Sequence, residues 1–213
     1  MLLSTAYFPP LSWFALCFSG GGEVWIEACE RYQKQTYRNR CLILAADGPQ
    51  MLQVPVLHEE DMRIDRVKVD YATPWVLRTE RALATAYESS AFFEFYRDSL
   101  FALLEAQPER LWDLNRSLLE WCFQRLHLPF RLKATQTYVP DADEDWRSAI
   151  HPKRPDRVLQ TLGLDKAYYQ VFRDRIGGFT PGLSILDLLF NEGPDSLCWL
   201  LRPEALSACI IQK

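Results

Sequence analysis

Between Pro74 and Leu126 the chain contains no glycine, and its apolar residues recur every three or four positions. That spacing belongs to helices with one buried stripe, and the absence of glycine removes the usual turn-former. Three helices fit: about 74 to 89, about 92 to 106, and Glu109 to Leu126. In the third, Leu111, Leu114, Leu118, Trp121 and Cys122 line one face. Pro108 stands near its start, where a missing amide costs nothing.

Everything before this block reads differently. "LLSTAYF" is a short apolar run closed by Pro9 and Pro10, which suits a buried strand ending in a loop. "LSWFALCF" reads as a short helix ended by Gly20, Gly21 and Gly22. "EVWIEAC" alternates as a strand until Ala28. "RCLILAA" and "QMLQVPV", joined by "DGP", make a hairpin, with Pro55 at a sheet edge or strand end. "RVKVDY" is a further short strand.

After the helical block, "RLKATQTYV" returns to a strand pattern. The acidic "DADEDW" and basic "HPKRPDR" that follow suit a surface loop or linker over about 140 to 156. Between Tyr168 and Leu201 two short helices are expected. Ser184 and Asp187 stand at capping-box spacing, and Gly193-Pro194 forms a stop. The fold class is therefore α/β or α+β, with a mixed sheet drawn mainly from the N-terminal third and packed by helices from the middle and C-terminal sections. A chain of 213 residues that is 48% hydrophobic is enough for a single domain over 1–213, helix-rich at about 74–127.

A formal net charge of -4 gives no general attraction to nucleic acid or acidic lipid, so any anion site is local. The six cysteines are scattered, and no cysteine-histidine set has zinc-ligand spacing. Neither a metal nor a cofactor is indicated. The apolar start lacks a basic leader and falls short of the ~20 residues of a membrane span, which suggests a cytoplasmic protein without one.

The strongest local charge is "ERYQKQTYRNRC", where Arg31, Lys34, Arg38 and Arg40 follow Glu30. If residues 34 to 40 are extended, Lys34, Arg38 and Arg40 share one face, opposite Gln35, Tyr37 and Asn39. If they are helical, Arg40 turns away. The extended row suits a diphosphate or carboxylate, because arginine grips such groups at two points. The alternative is a solvated face of little energetic consequence.

Several of these blocks are familiar as a set. "YFPPLSWFALC", "YQKQTYRNRCLI", "QVPV", the helix from Trp75 to Tyr87 running into "FFEFY", and "GFTPGLSILDLLFNEG" occur in an order that resembles the WbqC-like protein family. The resemblance spans residue 6 to about 200. It implies a bacterial protein of O-antigen or other surface-polysaccharide assembly, suggested to transfer an amino-acyl or glycyl group to a sugar. It carries over Tyr7, Pro9, Tyr32, Lys34, Arg38, Asn39, Arg40, Trp75, Ser184, Asp187 and Asn191 as motif positions, without assigned roles. Many members have a histidine where this chain has Thr79, so a histidine acid or base there would need a substitute.

With that resemblance, Lys34, Arg38 and Arg40 are expected to hold the phosphates of a nucleotide sugar or activated acyl donor. Gln33 and Asn39 would hydrogen-bond a sugar hydroxyl or amide, with Tyr7 and Asn191 as further contacts. Lys34 and Glu192 are the candidates for a nucleophile or base. Each has a plain structural alternative: "AYFPP" as a packed connection, "LSILDLLFNEG" as cap and core, Cys41 as an inert thiol. His58, His127 and His151 lie in loops or helix ends and compose no catalytic triad. A second expectation is a non-catalytic glycan- or partner-binding scaffold of the same pathway, for which seven tryptophans supply aromatic surface.

Overall fold

A computed structural model describes residues 1–18 and 22–200. Gly20 and Gly21, expected to stop the first helix, and Cys209 lie outside the described residues.

The elements are β1 (Leu2–Leu3), α1 (Leu11–Cys17), β2 (Glu23–Ile26), β3 (Arg40–Ala45), β4 (Gly48–Gln53), α2 (Trp75–Tyr87), α3 (Phe93–Glu105), α4 (Leu111–Arg125), β5 (Arg131–Ala134), α5 (Arg157–Thr161), α6 (Arg173–Ile176), α7 (Ile185–Glu192) and α8 (Ser196–Leu200). The class is α/β or α+β, as the sequence implies. Its two kinds of strand pairing occupy separate sheets. β1, β2 and β5 form a parallel sheet with β2 in the middle, while β3 and β4 form the expected antiparallel hairpin around Asp47-Gly48.

The three central helices fall where the periodicity puts them. Leu111, Leu114, Leu118 and Cys122 of α4 have no exposed surface, and with Leu83 of α2 and Leu100 and Leu104 of α3 they build the core. The 0%-exposed Phe14 of α1 and Val24 of β2 belong to the same cluster. β2 therefore buries Val24 and Ile26 on one face and turns Glu23 and Trp25 to the other.

Three segments depart from expectation. Lys68 and Val69 of "RVKVDY" each make a single bridge, to Arg110 and Val56, because neighbours on two sides share the segment and neither continues a ladder. Three short helices, α6, α7 and α8, replace two near the end; α6 closes after four residues because Gly177 adopts φ +82. The charged stretch at 140–156 has many exposed positions, yet Leu2 N donates to Glu144 O and Trp146 N to Leu2 O, both at 2.9 Å. It thus lies along the edge of β1 and reaches the ends of the parallel strands.

Candidate functional site

All three parallel strands release polar side chains at their carboxyl ends, the place where open α/β sheets present ligands with a crevice. Ser4 follows β1, Glu27 follows β2 and Thr135 follows β5. The Glu27 carboxylate is fully buried and accepts from Cys29 N (2.9 Å), Thr135 Oγ1 (2.6 Å) and Val139 N (3.0 Å). Arg147 from the 140–156 segment completes it at 3.4 Å. A buried carboxylate with this many hydrogen-bond donors is satisfied and held in one place, so it anchors the segments that meet it.

Beside it lies a second charged group. Arg38 is 4% exposed; its Nε donates to Glu30 Oε1 at 2.9 Å and its Nη2 to Glu30 Oε2 and Ser4 Oγ, each at 2.6 Å. Arg147 also donates to Asp145 across 2.9 and 2.5 Å, and its guanidinium stands 5.3 Å from the Tyr138 ring centre. The hydrogen bond to Asp145 raises the Arg147 pKa above its ordinary value.

Glu30, Arg38, Tyr138, Asp145 and Arg147 line an open cleft of about 490 Å³, together with Arg31, Tyr32, Gln33 and Ser148. Arg31 is exposed and makes no ion pair among the described residues, which leaves its charge available at the mouth. His151, nearby, is held below its ordinary pKa by burial and by Arg154, Lys153 and Arg38.

The expected row is redistributed. Residues 34 to 39 form turns, with Gln35 at φ +62 and Thr36 Oγ1 donating to Gln33 O at 2.8 Å, so neither an extended nor a helical run exists. Lys34 is exposed, Arg38 is buried against Glu30, and Arg40 opens β3 opposite Gln53. Gln33 and Arg38 line the cleft; Arg40 does not.

Other candidates lie elsewhere. Asn39 donates to Val54 O at 2.8 Å, Asn191 donates to Asp187 O at 2.7 Å, and Glu192 accepts from Tyr169 N at 3.0 Å. Tyr7 and Phe8 have no exposed surface, as expected of a packed connection, and burial raises the Tyr7 pKa. The Tyr7 hydroxyl sits beside Thr79. Ser184 caps α7 through Leu186 N, but Asp187 does not complete a capping box. Its carboxylate is buried against Tyr87 (2.8 Å), Tyr168 (2.7 Å) and Gln170 (2.9 Å). Burial raises the Cys41 pKa, in keeping with an inert thiol.

Ser4, Glu27, Glu30, Thr135, Tyr138, Asp145 and Arg147 were not candidates from sequence. Glu27 continues the exposed alternation of Glu23 and Trp25, which hides its burial; the strand ends at Ile26, and the reversal turns Glu27 inward.

The model of the WbqC-like protein family matches residues 5–166, which contain the cleft and its charged walls. This chain belongs to the WbqC-like family. The match ends before "GFTPGLSILDLLFNEG". An uncharacterized protein of Mycobacterium tuberculosis is 29% identical over 193 residues, covering 78% of this chain and 82% of its own. No solved structure matches the chain significantly. Among the described residues no group of three or more His, Cys, Asp and Glu side chains is placed to hold a metal, and no helix is long and apolar enough to cross a membrane.

Proposed function

We propose that this WbqC-like chain is a transferase of bacterial surface-polysaccharide (O-antigen type) biosynthesis that adds an amino-acyl group, such as glycyl, to an activated sugar. One observation carries the reading: Ser4 and Glu27, at the carboxyl ends of β1 and β2, engage Arg38 and Arg147, which with Arg31 line an open cleft. Glu30 and Asp145 neutralise much of that charge, so the cleft suits a ligand with anionic and polar parts better than a bare polyanion.

In this reading Arg31 and Arg147 hold the phosphate of the donor, Gln33 and Tyr138 contact its polar body, and the Glu30–Arg38 pair fixes the floor. Lys34 is a solvated counter-charge nearby. The acyl–oxygen bond of the donor breaks, the sugar's amine or hydroxyl forms the new acyl bond, and the departing phosphate keeps the electron pair beside the arginines and takes up the proton that the attacking group releases. Glu27, Glu30 and Asp145 are each engaged by arginine, so the cleft favours charge stabilisation over base catalysis by these carboxylates.

Thermal shift against nucleotide sugars, aminoacyl-adenylate analogues, coenzyme A and free nucleotides tests this. A ligand at 100 times its Kd adds about 2.7 kcal/mol of stability. The expected result is stabilisation by one phosphate-bearing class, lost in Arg31→Ala, whose exposed position leaves the fold intact. Absence of any such ligand would overturn the reading.

A non-catalytic scaffold of the same pathway has one observation in its favour: Phe95 on α3 is 77% exposed, as a partner-facing residue would be. Loss of co-purifying pathway proteins on Phe95→Ser would favour it. Turnover by the isolated chain would exclude it.

A further inference from the structure

β2 is the middle strand of a parallel sheet, and such strands are normally covered on both faces. Here Val24 and Ile26 are covered, while among the described residues nothing closes the opposite face, and Trp25 is 41% exposed. It floors a groove of about 760 Å³, with Leu2 and Val139 as apolar neighbours and Gln136, Thr137 and Asp143 as polar ones. We propose that this groove is a subsite for an uncharged sugar ring, the acceptor in the transfer suggested above; the inference rests on that reading.

Three features support an uncharged saccharide. The apolar C–H face of a pyranose stacks on an indole, as other flat apolar groups do, and among the described residues no aromatic ring stacks on Trp25. The rim offers the Asp143 and Glu144 carboxylates, the Gln136 amide and the Thr135 and Thr137 hydroxyls, which together donate and accept, as sugar hydroxyls require. Among the described residues no lysine or arginine lines the groove, and the Met1 ammonium there is paired with Glu144 at 3.4 Å, whereas three arginines line the neighbouring cleft. A phosphate therefore finds complementary charge in the cleft, and an uncharged ring fits the groove.

The position of the groove suits an acceptor. Tyr138 lines the charged cleft and Val139 the groove, so one peptide unit separates the two. Val139 N donates to the buried Glu27 at 3.0 Å, anchoring the partition to the strand ends. A donor at Tyr138 and a sugar on Trp25 would approach each other around the same segment.

The experiment uses full-length chain labelled with 5-fluorotryptophan, with the Trp25 resonance assigned through Trp25→Phe. It is titrated separately with methyl glycosides of neutral hexoses and N-acetylhexosamines, and with UDP-N-acetylglucosamine. A saturable glycoside-dependent shift of the Trp25 resonance is expected. Ligand-detected NMR should show binding weakened about tenfold in Trp25→Ala and less in Trp25→Phe, since a smaller ring still stacks. Arg31→Ala should leave glycoside binding unchanged.

If no glycoside moves Trp25 while UDP-N-acetylglucosamine binds in an Arg31-dependent way, the subsite is refuted and the transferase reading survives. If neither probe binds, the subsite falls, and the transferase reading is decided by the wider set of phosphate-bearing donors. A Trp25 shift that depends on protein concentration alone would assign the open face to a second copy of the chain and overturn the sugar subsite.

Discussion

Arg38 and Glu30 meet in a two-point ion pair, at 2.9 and 2.6 Å, with both side chains within 6% of complete burial. The most prominent arginine of the basic stretch is thus the floor of a cleft, committed to a carboxylate supplied by the loop after β2. Buried pairs of this kind gain little overall stability, yet removing one partner strands the other in a dry site.

Glu30→Leu or Arg38→Met alone should therefore destabilise the fold by about 3–5 kcal/mol, and the double replacement should recover most of the loss. Urea titration at an unchanged slope checks both. Lys34→Ala, at an exposed position, should stay within about 0.5 kcal/mol of the parent.

Asp187 provides a pH signature. Burial raises its folded pKa, against the lowering influence of Tyr168, Tyr87 and Gln170. The native state then binds a proton that the unfolded chain has released, so this stabilising contribution is complete below the unfolded carboxylate pKa, near 3.9, and fades as pH rises through the folded value. Wild type minus Asp187→Asn stability should fall with rising pH by at most about 1.4 kcal/mol per pH unit. Denaturation across the acid range measures it, and a difference that grows with pH would contradict the assignment.

Tyr87 ties that carboxylate to the hairpin: its hydroxyl donates to Asp187 at 2.8 Å and accepts from Leu44 N at 3.2 Å. Tyr87→Phe should cost about 1–3 kcal/mol, since two buried groups lose their partner. It should leave ligand binding at Arg31 unchanged, which separates this network from the cleft.

Gly193 is required at the end of α7. Its φ is +54, and an added Cβ would lie 2.5 Å from the Phe92 ring. Gly193→Ala should destabilise by about 1–3 kcal/mol, with a smaller penalty in a Phe92→Ala background, where the clash is removed and only backbone strain persists. A double-mutant cycle on thermal midpoints resolves the two parts.

Much of the framework was legible before any coordinates. α2, α3 and α4 follow from uninterrupted periodicity, and the hairpin follows from "DGP" between two apolar runs, because helix faces and tight turns are set by neighbours in sequence. "RVKVDY" failed as a strand because its pairing depends on Val56 and Arg110, which local alternation does not reveal.

Sequence alone established a mixed class of strands and helices, the central helices, the hairpin and the blocks that mark the family. Tertiary structure decided which charges form the site: it withdrew Arg38 into a pair with Glu30, turned Lys34 outward, and brought Arg147 from a distant charged stretch to Glu27. The physical reason is that burial and pairing of charge depend on where strands end and which segment crosses them. A period-of-two row across residues 34–40 cannot survive a left-handed residue at Gln35, whereas the carboxyl ends of three parallel strands converge however far apart they stand in the chain.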